Sequence, residues 1–156
     1  MRQKTSLEGL DKVAEVELIY HSKVKPSERR IVKKSSEVYQ LLLDCWNKDT
    51  LELQEEAKVI YLNSSGGVLG IYHLSKGGMT SASMDPKLIF TAALKISATS
   101  IILAHNHPSG TIKPSKADLE LTQKLQDGGD LLDIKVLDHL IITPDQYFSF
   151  VDEGLL

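Results

Sequence analysis

The chain has 156 residues, a formal net charge of −3, 42% hydrophobic residues and one cysteine, Cys45. That length suits a single buried core, the mild acidity speaks against broad nucleic-acid binding, and a lone thiol excludes an internal disulfide. The N-terminus, MRQKTSLEGLDK, lacks the apolar stretch of a signal peptide, and no apolar run approaches the ~20 residues of a membrane span, so a cytoplasmic location is the default expectation.

Residues 1–11 read as a flexible tail, and residues 12–156 as one domain without internal repeats. VAEVELIYH, 13–21, alternates apolar and polar residues, which predicts a strand. KVKPSERRIVKK, 23–34, carries six basic residues and one acidic one; it is a solvated loop with the option of a weak nucleic-acid contact. SSEVYQLLLDCWN, 35–47, spaces Val38, Leu41, Leu42 and Cys45 as a helix does, with Cys45 as a core thiol. AKVIYLN and VLGIYHLS flank Ser64-Ser65-Gly66-Gly67, a hairpin signal. Asp85-Pro86 opens a helix running to about Ser97, as an N-cap followed by proline at the first helical position. A strand to His105 follows. Then comes a helix from Lys116 to about Asp127, ended by Gly128-Gly129. Strands at 133–143 and 147–151 close the chain. Strands mixed with helices and one hairpin predict an α/β (α+β) fold, a mixed sheet flanked by helices.

The chemistry concentrates in HNHPSGTIKPSKAD, residues 105–118, with the spacing His-x-His-x7-Ser-x2-Asp. ATSIILAH, 98–105, reads as a buried strand ended by His105. Residues two apart on an extended chain share a face, so His105 and His107 can reach one ion. Pro108, Ser109 and Gly110 form a turn that frees His107 from the strand. Ser115 and Asp118, three apart, share a face at the start of the next helix, with Asp118 as the third ligand. Two imidazoles and one carboxylate are the donor set of a catalytic zinc site with an open fourth position. Ser-x-x-Asp is also a capping box, and the two roles are compatible.

His105, His107, Ser115 and Asp118 match the JAMM signature of the MPN/JAB metalloproteases, and the wider chain resembles the RadC branch of that superfamily. The matching segments are EEAKVIYLN (55–63), DPKLIFTAALK (85–95), IILAHNHPSG (101–110), PSKAD (114–118) and LLDIKVLDHLII (131–142). Long RadC proteins carry an N-terminal helix-hairpin-helix segment; none is read here, so the resemblance is to a short form. It implies the MPN/JAB fold, similar in layout to cytidine deaminases. It also implies one Zn2+ per chain and a general-base glutamate at the entrance of an early strand. Aligning VIYLN with the family strand puts that glutamate on Glu55, which shares a strand face with Ala57, Val59 and Tyr61; Glu56 is the alternative.

The implied function is a zinc-dependent hydrolase cleaving peptide or isopeptide bonds through activated water, with Glu55 moving the proton and Ser115 donating to the oxyanion. Asn106 points away from the two ligands and holds the loop. Asp138, in the LDH stretch, offers a carboxylate to a ligand imidazole or belongs to the scaffold. His21 and His73 are surface or structural histidines. Two other function classes stand beside the hydrolase. The RadC association with DNA repair suggests a DNA-binding or processing protein, although the letters HNH at 105–107 do not make an HNH nuclease. A non-catalytic MPN binding module is the third. A deaminase is excluded by the missing Cys-x-x-Cys zinc motif. Substrate specificity would lie in loops such as 76–84, and oligomeric state is not encoded in any pattern read here.

Overall fold

A computed structural model describes residues 14, 16, 17, 19–78 and 82–156. The expected tail, 1–11, lies outside the described residues, as do positions 79–81 of the 76–84 loop. The elements are α1 (Ser35–Cys45), β1 (Glu56–Leu62), β2 (Val68–Lys76), α2 (Pro86–Lys95), β3 (Ser100–Asn106), α3 (Lys116–Leu132), β4 (Lys135–Ile142) and β5 (Tyr147–Ser149), with a short 3-10 turn at Pro26–Glu28.

The five strands form one mixed sheet in the order β2-β1-β3-β4-β5. β1 pairs antiparallel with β2 and β3, β3 pairs parallel with β4 across the α3 connection, and β5 returns antiparallel on β4. β1 and β3 are buried along their whole length, which explains their near-continuous apolar sequence: both faces of the central strands are covered. Strand parity sorts the core into two layers. Ile60, Leu62, Ile102, Ala104, Leu140 and Ile142 pack with Val38, Tyr39 and Leu42 of α1. Ala57, Val59, Tyr61, Ile101 and Leu103 pack with Ile89, Phe90 and Ala93 of α2 and Leu125 of α3. The result is the expected mixed sheet between helices, an α/β architecture consistent with the MPN/JAB fold.

Local signals explain most element boundaries. Asp85 caps α2 by accepting from the Lys87 N–H at 2.9 Å, and Pro86 follows as the first helical residue. Asn63 closes the hairpin, its Oδ1 accepting from Ser65 and Gly67 N–H, while Gly66 takes φ +76°. Two expectations are corrected. At 13–21 the described residues form no strand: residues 14, 16, 17 and 19–21 have no strand pairing and are exposed, and Val13, Glu15 and Leu18 lie outside the described residues. Val16 is 84% exposed. The helix expected to stop at Gly128-Gly129 instead runs on to Leu132 and ends at Asp133, which takes the left-handed conformation at φ 55°. Those glycines serve close packing. A Cβ on Gly128 would lie 2.9 Å from the Phe90 ring, and one on Gly129 would lie 2.3 Å from the Ile134 carbonyl oxygen.

Cys45, expected as a core thiol, is only half-buried and outside both core clusters, its thiol donating to the Leu42 carbonyl at 3.3 Å. The basic stretch 23–34 is largely exposed, with Arg30 paired to Asp44 at 3.0 Å. Among the described residues no helix is long and apolar enough to cross a membrane.

Candidate metal centre

The site forms where the C-terminal end of β3 meets the N-terminal end of β1, beneath the start of α3. Register brings its parts together. Ala57 lies opposite His105, so both face the α2/α3 layer. Two residues further along each strand come Glu55 and His107. The chain beyond β3 keeps its extended course there, because the His107 N–H still donates to Ile142 O at 3.1 Å. Glu55 is anchored by its own backbone, which exchanges bonds with Gly77 and Gly78.

Atoms of three residues converge. His105 Nε2 lies 3.0 Å from His107 Nε2 and 3.3 Å from Asp118 Oδ1, and His107 Nε2 lies 3.9 Å from Asp118 Oδ2. A tetrahedral zinc ion with bonds of about 2.0–2.1 Å holds its ligand atoms about 3.3 Å apart. The His105–His107 and His105–Asp118 Oδ1 separations bracket that value, while His107 comes nearest to Oδ2, the oxygen held by Ser115; two imidazoles and a carboxylate are a donor set zinc prefers. The residues therefore fit the ion. Glu55 stands at the same centre: a carboxylate oxygen and one nitrogen of each of His105 and His107 all lie within 4.8 Å of one another.

The outer contacts of these groups decide their orientation. His107 donates from Nδ1 to the Thr111 carbonyl at 2.7 Å; a carbonyl only accepts, so the neutral ring leaves its Nε2 lone pair free. The 107–110 turn behind it closes through Gly110 N–H to His107 O, with Gly110 at φ +83°. Ser115 caps α3. Its hydroxyl donates to Asp118 Oδ2 at 2.8 Å, its N–H donates to the same oxygen at 2.7 Å, and its Oγ accepts from the Asp118 N–H. Asp118 Oδ2 is thus taken up by the cap, and Oδ1 is turned to His105. The serine hydroxyl is engaged with the aspartate and not presented to the open side.

Burial sets the electrostatics. Glu55 is 9% exposed. Burial pushes its carboxyl above the ordinary carboxylate value, with the Asp118 charge adding to the rise and His107 and the Ala82 N–H opposing it. His105 has no exposure, and burial holds it down to about 4, with Asp118 opposing and His107 adding to the drop.

Glu56 faces the other way. It accepts from Thr50 Oγ1 at 2.6 Å and sits 3.7 Å from Lys58 Nζ, on the α1 side of the sheet. Asn106 also points to that side and is fully buried. Its Oδ1 accepts from the Glu56 N–H at 2.7 Å, and its Nδ2 donates to Leu51 O and Gln54 O at 2.6 and 2.8 Å. It therefore ties β3 to the 51–56 loop that carries Glu55. Asp138 does not reach His105 or His107. It accepts from Ser149 Oγ, the Val151 N–H and the His139 N–H, a scaffold role. The neighbour in the LDH stretch is the one that matters here: His139 Nε2 lies 2.9 Å from His105 Nδ1. Parity explains the exchange, since Asp138 pairs with Ile102 and His139 with Leu103, on opposite faces. Thr122 was not singled out by sequence, although its place four residues after Asp118 puts it on the same helical face. His21 is exposed, and His73 receives Lys58 Nζ at 2.6 Å on β2, both away from the centre.

Together, sheet order, layers and the converged imidazoles and carboxylates define an α/β domain with a candidate metal centre at a strand end. The chain belongs to the RadC-like JAB domain family, whose model matches residues 32–155. It is 50% identical over 101 residues to a UPF0758 protein of Flavobacterium johnsoniae, covering 65% of this chain and 44% of the relative. A UPF0758 protein of Porphyromonas gingivalis is 51% identical over 104 residues, 66% of this chain and 46% of its own. One from Syntrophomonas wolfei is 36% identical over 129 residues, 82% and 55%. The chain thus spans about half the length of the curated relatives it matches.

Proposed function

We propose that the domain is a zinc-dependent hydrolase of the JAMM type, cleaving a peptide or isopeptide bond with water as the nucleophile. The supporting observation is the convergence of His105 and His107, with Nε2 atoms 3.0 Å apart, on Glu55 and on Asp118 Oδ1, which lies 3.3 Å from His105. His105 Nε2, His107 Nε2 and Asp118 would hold the ion. When bound, zinc supplies water that is acidic near neutral pH and a Lewis acid for the scissile carbonyl.

The chain's own residues do the rest. Glu55 takes the proton of the attacking water on its carboxylate and returns it to the leaving nitrogen. Its raised affinity for a proton suits both transfers better than an exposed carboxylate would. Ser115 N–H keeps Asp118 Oδ2 in place when the Ser115 hydroxyl swings from that oxygen to the developing oxyanion. One such donor is typically worth ~3 kcal/mol of barrier. Asn106 fixes the loop that presents Glu55. No side chain is required as a covalent nucleophile. The substrate class is a peptide or protein, and the exposed basic stretch 23–34 is available as a secondary contact for an acidic or phosphorylated segment.

The reading is tested with the zinc-loaded chain on a pooled peptide library that includes lysine-linked isopeptides, analysed by mass spectrometry. New amine termini are expected with the parent and not with Glu55→Gln. Equal cleavage by both, or none by either, contradicts the proposal.

A further inference from the structure

Three buried residues behind the centre form a connected chain whose polarity can be followed atom by atom. The Thr122 hydroxyl donates to the Asp118 backbone carbonyl at 2.7 Å, one turn back on α3. A hydroxyl has one hydrogen, so its lone pair must face its other neighbour, His139 Nδ1, also at 2.7 Å. His139 therefore carries its proton on Nδ1, and its Nε2 is an acceptor. The group facing that acceptor, at 2.9 Å, is His105 Nδ1, which must carry a proton in turn. His105 is then left with a bare Nε2, the atom directed at His107 and Asp118. His107 reaches the same condition by donating Nδ1–H to Thr111 O. Two neutral imidazoles thus present lone pairs to each other at 3.0 Å. Between neutral rings that contact is not a hydrogen bond, and it is the arrangement a cation resolves.

The chain is rigidly built. Thr122 is 2% exposed, and neither His139 nor His105 has any exposure. The His139 ring stacks on Phe150 with centroids 4.5 Å apart and planes 15° from parallel, and the Phe150 N–H donates to His139 O. Helix α3 supplies both Asp118 and, one turn later, the hydroxyl that begins the sequence. One element thus carries a ligand and also sets the tautomer of another ligand.

We propose that Thr122 and His139 are positioning residues for His105, holding it as the Nδ1–H tautomer so that its Nε2 lone pair is aimed at the metal position before any ion arrives. This rests on the metal reading above, because the purpose of the tautomer is to make Nε2 a ligand. The outer partners of metal-binding histidines typically contribute 10–100-fold to metal affinity.

The test uses the full chain in two measurements. In the first, long-range 15N–1H correlation spectra of the metal-free parent at pH 8 report which nitrogen of His105 and of His139 carries the proton. Nδ1–H on both is expected. An Nε2–H tautomer on His105 overturns the proposal, and this measurement needs no substitution to be tolerated. In the second, zinc dissociation constants are measured by chelator competition for the parent, Thr122→Val and Thr122→Ser. Thr122→Val keeps the side-chain shape without the hydroxyl and is expected to bind about 10–100-fold more weakly. Thr122→Ser restores the hydroxyl and is expected to return close to the parent. Valine at parent affinity, or serine as weak as valine, overturns the proposal. A parent that takes up no zinc would instead remove the metal reading, and the tautomer spectra would still decide the relay.

Discussion

Replacing Asn106 by alanine removes three buried hydrogen bonds at once. The Glu56 N–H, Leu51 O and Gln54 O lose their partner, and the site has no exposure through which water could replace it. A typical net contribution is ~1 kcal/mol per bond, and more where a buried group is left unpaired. The expected loss is therefore about 3 kcal/mol, a large share of the 5–15 kcal/mol that hold a domain folded. Asn106→Asp should be no better: it keeps the acceptor for Glu56 N–H but sets a carboxylate oxygen against two carbonyl oxygens. The assay is urea unfolding of the metal-free chain followed by circular dichroism, with the zinc dissociation constant measured in parallel. Because the lost bonds hold the 51–56 loop, Glu55-dependent turnover should fall further than zinc affinity. An Asn106→Ala midpoint equal to the parent's would show that this side chain does not tie the loop to β3, and the reasoning would fail.

Glu56→Gln should leave hydrolysis near the parent level, because Glu56 faces Thr50 and Lys58 on the far side of the sheet, whereas Glu55→Gln should abolish it with zinc content retained; initial rates with metal analysis of both variants check this. The metal-free protein should lose stability in mild acid. Burial places His105 at about 4 and His139 well below its ordinary value, while the unfolded rings titrate near ~6.5, so between those values the unfolded chain binds more protons and stability falls as pH falls. Glu55 and Asp138, raised by burial, act in the opposite sense just above the ordinary carboxylate range. Urea midpoints at pH 7.5 and pH 5 measure the net effect, and equal midpoints would contradict it. Gly129→Ala should destabilise by about 1–3 kcal/mol, since the new Cβ meets the Ile134 carbonyl at 2.3 Å; helix propensity alone predicts about 1 kcal/mol in the stabilising direction, so a raised melting temperature would refute the packing argument.

What could be read from the sequence was what local chemistry encodes. Asp85-Pro86 declared its helix because cap and proline act within one turn. The β3 strand declared itself through an unbroken apolar run, and the His-x-His spacing followed from strand parity. The same parity put Glu55 and Glu56 on opposite faces of the sheet, as the structure has them. Gly128-Gly129 misled because a glycine pair marks either a helix end or a close approach, and only the tertiary neighbours Phe90 and Ile134 distinguish the two. The segment 13–21 misled because alternation describes a strand only where a sheet and a core exist to receive it. The roles of His139 and Thr122 depend on β4 lying parallel to β3 under α3, with register set by a shift near Leu137 that no local pattern announces. For the same reason attention fell on Asp138, the better-known type of partner, and not on the imidazole next to it.

Metal content tests the proposed centre most directly. Purified parent chain and Asp118→Ala, dialysed against equal zinc and then metal-free buffer, are compared by inductively coupled plasma mass spectrometry. Close to one zinc per parent chain, and a large loss in a still-folded Asp118→Ala, is the predicted result. A parent without zinc, or a variant that retains it fully, would contradict the claim that His105, His107 and Asp118 grip one ion.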